Sequence, residues 1–162
     1  MTKEFLKKIL YLALVLIWML TVFMFSNQNG EKSQGTSRKI STIVAQVFTH
    51  NQEINEDEKE AIVEKVDHVI RKMAHYSIYA IGGILLYNYI RTLNSITKKA
   101  ILISILVGII YAITDELHQY FMNGRSAQIT DVIIDSLGIF TGVILMYKIQ
   151  KNLYNKNSKG EK

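Results

Sequence analysis

The chain has 162 residues, 49% of them apolar and 20% charged, with a formal net charge of +5 and neither cysteine nor proline. That length suits one domain or one small bundle. The apolar content excludes a purely disordered chain, and the missing cysteines exclude a disulfide framework, thiol catalysis and zinc-thiolate sites.

The apolar residues are gathered in four blocks with the charges almost wholly outside them, which sets the chain apart from an ordinary soluble globule. A hydrocarbon core of roughly 30 Å takes about 20 helical residues to cross. The first block, Ile9–Phe25, is 17 residues without a charge. It exceeds the usual signal-peptide apolar region of about 7–15 residues, and the following Phe25-Ser26-Asn27-Gln28 offers no small-x-small cleavage site. A retained anchor over about 6–26 is expected.

Ser26–Lys72 is the one long connection. Its first part (Ser26-Asn27-Gln28-Asn29-Gly30, then Ser33, Gly35, Ser37 and Ser41) is small and polar and reads as a loop. Its second part, Glu53–Ile70, spaces Ile54, Ala61, Ile62, Val66, Val69 and Ile70 at helical intervals with acids between them, which predicts an amphipathic helix leading into the next span. A solvated face accounts for its charges, including His68.

The second block, Met73–Ile90, has His75 and Asn88 as its strongly polar members and predicts a span over about 72–91, with Tyr87 and Tyr89 as interface aromatics. The third, Ala100–Thr114, reaches only about 22 Å at 1.5 Å per residue. To span, it must run on through Asp115-Glu116-Leu117-His118-Gln119-Tyr120-Phe121, giving about 98–121. The fourth, Val132–Tyr147, holds Asp135 and must start near Asp131, giving about 129–148. The expected fold is all-α: a four-transmembrane-helix bundle with an amphipathic helix in the long outer loop, forming a membrane domain over 1–150, and a frayed basic cytoplasmic tail over 151–162.

Cations set the orientation. With the N-terminus inside, the inner segments hold eleven Lys and Arg residues against two acids, Glu4 and Glu161. Both termini are therefore expected in the cytoplasm. The basic balance is then an orientation signal, and no nucleic-acid partner is expected.

Each span carries polar groups at its outer end. Ser26, Asn27 and Gln28 end the first; Arg71, Lys72 and His75 open the second, with Arg71 and His75 on one face and Tyr79 and Gly82 below them. Asp115, His118 and Gln119 share a face of the third, with Glu116 turned about 100° away. Asp131, Asp135, Gly138 and Gly142 form one stripe of the fourth, and the hairpin before it holds Asn123-Gly124-Arg125-Ser126, a turn signal. An acid at membrane depth costs about 2.5–3.5 kcal/mol near the centre and less near the interface, so Asp135 is expected to face the bundle interior. Gly138 and Gly142 allow a neighbouring helix to approach closely, turning that stripe inward. The result is a polar pocket in the outer leaflet lined by the second, third and fourth spans.

Two blander readings stand beside this one. Arg71, Lys72 and Arg125 could simply pair with Asp115, Glu116, Asp131 and Asp135 and lock the helices. His75, Asp115, His118 and Asp131 could seat a metal, since histidine and carboxylate are suitable ligand types, but no dense motif such as His-Glu-x-x-His is present. No cofactor is expected.

Asp115-Glu116-x-His118-Gln119-x-Phe121, Gly124-Arg125, Asp131 and Gly138-x-x-x-Gly142 resemble the signature of the VanZ-like membrane proteins. Arg71-Lys72-x-x-His75-x-x-x-Tyr79 and Phe25-Ser26-x-Gln28 with Ser33 and Ser37 match its earlier blocks in order. This chain lacks the proline that the family often has before Gly124-Arg125, and Asp135 stands where the family usually has asparagine. The resemblance implies a small integral membrane protein of the cell envelope, in a family whose namesake is associated with low-level resistance to teicoplanin, a lipid-tailed glycopeptide.

Two functions are therefore carried forward. The first is a non-catalytic envelope protein that binds a lipid-linked cell-wall precursor or a lipoglycopeptide through Ser26, Gln28, Ser33, Arg71, Lys72, His75, Tyr79, Asp115, Gln119, Arg125, Asp131 and Asp135. The second is an enzyme acting on a phospholipid or polyprenyl-phosphate headgroup, with Glu116 or His118 as acid/base and Arg71 and Arg125 clamping the anion. Membrane lipids are partners in both, and the oligomeric state is open because the glycine faces serve contacts within or between chains.

Overall fold

The computed structural model describes residues 2–27, 30–49, 55–93, 97–122 and 128–160. Within these, every regular element is a helix: α1 Lys3–Ser26, α2 Gly30–Thr49, α3 Glu56–Leu93, α4 Thr97–Tyr120 and α5 Ile129–Gly160. Three of them, α1, α4 and most of α5, are long and apolar enough to cross a membrane by length and composition.

The amphipathic helix expected before the second apolar block is present, and it continues into that block without a break as the 38-residue α3. With no proline in the chain nothing interrupts its backbone ladder. Its start is fixed reciprocally: the Glu58 N–H donates to Asn55 Oδ1 at 2.8 Å, and the Asn55 N–H donates to Glu58 Oε2 at 3.2 Å. Helix α3 packs against all four other helices. That central place explains why it is less apolar than the spans around it: Tyr79, Tyr87 and Asn88 face protein and are buried. Tyr87, expected at the membrane interface, is only 1% exposed and belongs to the core.

The segment after Ser26 differs from the loop expected there. Gly30–Thr49 is helical, and Ser41 and Ala45, one turn apart, are buried where α2 packs on α3. The serines that suggested a loop are helix-compatible when a neighbouring helix takes up a hydroxyl, as Asp67 on α3 does for Ser41. The C-terminus also differs from the frayed tail expected: α5 runs on to Gly160, and Gln150 donates to Asn88 Oδ1 at 2.9 Å, tying its extension to α3.

Helices α3 and α5 approach closely through glycine. A Cβ on Gly138 would strike the Tyr76 carbonyl, one on Gly142 the Ala80 carbonyl, and one on Gly83 the Ile139 carbonyl. The small-xxx-small stripe thus faces inward as its spacing implied, and Gly82 is a seat for the Trp18 ring of α1. Trp18 also donates its indole N–H to the Ile78 carbonyl at 2.9 Å, and the Tyr111 hydroxyl donates to the Met19 carbonyl at 2.7 Å. The outer faces of α1, α4 and α5 expose Leu20, Met24, Ile110, Leu117, Ile133 and Leu137, an apolar surface suited to lipid.

Candidate functional site

The end of α1, the middle of α3, the C-terminal turns of α4 and the first turns of α5 meet in one polar region. It has two halves of different character.

The first half is hydrogen-bonded throughout. Asp115, 5% exposed, accepts from the Ser26 hydroxyl through Oδ1. Its Oδ2 accepts from the Tyr79 hydroxyl at 2.9 Å and from Gln119 Nε2 at 3.0 Å. Gln119, one turn beyond Asp115, also donates to the Ser26 Oγ at 3.0 Å. Three helices are thereby tied to one carboxylate, and three donors satisfy a buried charge that would otherwise cost several kcal/mol. Four residues named from three separate stretches of sequence, Ser26, Tyr79, Asp115 and Gln119, do converge here.

The second half is not satisfied. Asp135 is 0% exposed and faces His75, with Oδ1 at 3.5 Å from Nδ1. Among the described residues that ion pair is their contact: neither the Asp135 oxygens nor His75 Nδ1 make a hydrogen bond of normal geometry. Glu116, 4% exposed, accepts from the Gln128 N–H just before α5 at 2.7 Å through Oε1, while its buried Oε2 has no hydrogen bond among the described residues. Lys72 closes the rim, 3.3 Å from Asp131 Oδ1. Along the α3–α5 seam, Lys72 thus faces Asp131 and His75 faces Asp135, each pair across the two helices.

Two expected members point elsewhere. The Arg71 Nε sits 3.1 Å from Asp67 Oδ2 on its own helix, and Asp67 Oδ1 accepts from Ser41 on α2 at 2.9 Å. His118 stacks on Phe23 of α1, ring centroids 4.9 Å apart, and its buried Nε2 has no hydrogen bond among the described residues. Gln28 and Arg125 lie outside the described residues, as does the side chain of Ser33. Asp67 and Ser41 were not singled out from sequence. Asp67 could have been, because it precedes Arg71 by four residues, the spacing of a helical ion pair.

No group of three or more His, Asp or Glu side chains able to hold a metal is found among the described residues. The set considered for a metal is divided: Asp115 belongs to the Ser26 cluster, His118 to Phe23, His75 to Asp135 and Asp131 to Lys72.

A family model described as VanZ/LLP1 matches residues 11–151. Neither a curated protein nor a solved structure matches the chain.

Proposed function

We propose that this chain, which belongs to the VanZ/LLP1 family and is a membrane protein, binds the polar headgroup of a lipid-linked or lipid-tailed molecule at the His75–Asp135 half of its polar region, and thereby contributes to glycopeptide resistance of the teicoplanin type. In this reading the C-terminal half of α3 crosses the membrane as a fourth span, both termini are cytoplasmic and the region opens in the outer leaflet. The excess of Lys and Arg in the segments assigned to the inside supports that orientation.

One observation carries the proposal: Asp135 is fully buried, and among the described residues its carboxylate has the long 3.5 Å ion pair to His75 and no hydrogen bond of normal geometry. A group whose only task is to hold helices together has its hydrogen bonds made, as Asp115 does. Leaving a buried polar atom unmade costs about 1–3 kcal/mol, and more when it is charged. A ligand that completes Asp135, Glu116 and His75 recovers that cost on binding.

The test is glycopeptide susceptibility of cells expressing wild type, Asp135→Leu or no protein, at matched membrane levels. Expression of wild type raises the inhibitory concentration of a lipid-tailed glycopeptide, and Asp135→Leu removes the increase. Equal protection by Asp135→Leu would reduce the polar region to scaffold. Unchanged susceptibility on expressing wild type would remove the resistance role.

A second reading, an enzyme acting on a phospholipid or polyprenyl-phosphate headgroup, is favoured by Glu116 Oε2 and His118 Nε2, which are both buried and without a hydrogen bond among the described residues, as a proton-transfer group would be. Of the two anion clamps expected, Arg71 is engaged by Asp67. Lipid extracts from wild-type and His118→Ala cells decide: identical profiles eliminate catalysis.

A further inference from the structure

We infer that α2 lies in the membrane interface beside the C-terminal end of α1, with an apolar stripe against acyl chains and its polar face among phospholipid headgroups. Nothing in this depends on what binds beside Asp135.

Helix α2 spends only one edge on the protein. Ser41 and Ala45 are buried, and Ser41 donates to Asp67 of α3 at 2.9 Å. Beside that contact Ile40, Ile43, Val47 and Phe48 are 52%, 63%, 72% and 74% exposed, so no described part of the chain covers them. Together with the half-buried Val44 they fall within roughly 140° of the helix circumference, at about 100° per residue. Arg38, Lys39, Thr42, Gln46 and Thr49 occupy roughly 100° on the other side. Of the five helices α2 segregates its apolar and polar residues most strongly, and on average it is scarcely hydrophobic. That combination marks a helix that lies on a membrane, since a spanning helix is apolar throughout.

Its position fits the same surface. Helix α1, apolar enough to cross a membrane, ends at Ser26, and α2 begins at Gly30, so α2 starts where α1 leaves the lipid. Met24 and Phe25 at that end of α1 are exposed, which carries the apolar outer surface up to α2. The depth of its middle is set by Asp67, five residues before Lys72 and therefore about 7–8 Å away along α3. Lys72 pairs with Asp131 in the first turn of α5, another helix able to cross. The headgroup layer outside the hydrocarbon is about 5–7 Å thick on each side, so Ser41 sits at headgroup level. On the polar face Arg38 is engaged by Glu60. Lys39 is exposed and has no ion pair among the described residues, a cation placed for lipid phosphate.

The experiment exploits the absence of cysteine. A nitroxide is carried singly at positions 38–40, 42–44 and 46–49 of the full-length protein, reconstituted in vesicles of phosphatidylethanolamine and phosphatidylglycerol. Ser41 and Ala45 are left intact, and a label at Leu117, exposed on α4, is the lipid-facing reference. Collision with oxygen, which concentrates in lipid, is expected to peak at 40, 43, 47 and 48 and to approach the value at Leu117. Collision with a water-soluble nickel chelate is expected to peak at 39, 42 and 46, the two profiles being out of phase with a repeat of about 3.6 residues. Each position is read in its own variant, so a folding defect in one leaves the pattern legible. Nickel collisions as frequent at 43 and 47 as at 46 put the stripe in water and overturn the inference. Labels at 43 and 47 shielded from both reagents put it against protein and also overturn it. Spin–spin broadening that vanishes on dilution with unlabelled chain then assigns the cover to a second copy, and its absence assigns it to the same chain.

Discussion

Gly142 lies directly under the backbone carbonyl of Ala80, where a Cβ would also come within 2.9 Å of the Ala80 carbonyl carbon and 3.1 Å of the Ile84 nitrogen. This approach of α5 to α3 sets the depth at which Asp135, two turns earlier on α5, meets His75.

Replacing Gly142 by alanine should therefore push the two helices apart. The obstacle is backbone, which cannot rotate away, so a loss of about 1–3 kcal/mol is expected, with larger side chains worse. Gly35 on α2 is the control, because a Cβ there meets nothing within 4 Å. Alanine at Gly35 should be neutral or raise stability by up to about 1 kcal/mol through helix propensity. Thermal unfolding of the purified variants compares the two.

Asp115 and Asp135 are both buried carboxylates, yet they should respond unequally to replacement. Asp115→Leu strands Ser26, Tyr79 and Gln119 and should cost about 3–5 kcal/mol, enough to lower the membrane yield. Asp135→Leu breaks the 3.5 Å ion pair to His75 and no hydrogen bond of normal geometry, and should lower the melting temperature by clearly less than Asp115→Leu. A melting curve for Asp135→Leu that falls as far as that of Asp115→Leu would make Asp135 a structural partner.

Lys72 and Asp131 are about one-quarter exposed, so their ion pair is partly screened. A double-mutant cycle with Lys72→Ala and Asp131→Ala should return a coupling of roughly 0.5–1 kcal/mol that shrinks in high salt. A coupling of several kcal/mol would mean that the rim is far drier than these exposures imply.

The chain has no cysteine, so single cysteines report topology without background. Cysteine at Ser126 should react with an impermeant maleimide added outside intact cells, and cysteine at Lys98 only after permeabilisation. Reversed labelling would place the polar region on the cytoplasmic side and remove the outer-leaflet site.

Helical spacing made part of the site legible. Asp115 with Gln119, Asp131 with Asp135 and Gly138 with Gly142 are each four apart, share faces as that spacing requires, and turn inward. Partners were less legible. Arg71 and His75 share a face as well, but Arg71 is taken by Asp67 and His75 by Asp135. Asp67 reaches Arg71 along its own helix, while Asp135 reaches His75 only because glycines let α5 come close. Helix α2 was hidden by a run of serines and glycines, whose helical state depends on a neighbour to pack against.

From its residue order alone, this chain determined its membrane character, its family and the set of polar residues able to meet, because apolar block length and helical period are local properties of a chain. How each buried carboxylate is held was decided only by the tertiary structure, because it depends on which helices pack together. Both are aspartates on apolar helices, and what separates them is the donors placed around them: Ser26, Tyr79 and Gln119 give Asp115 three hydrogen bonds, whereas among the described residues Asp135 has the 3.5 Å ion pair to His75.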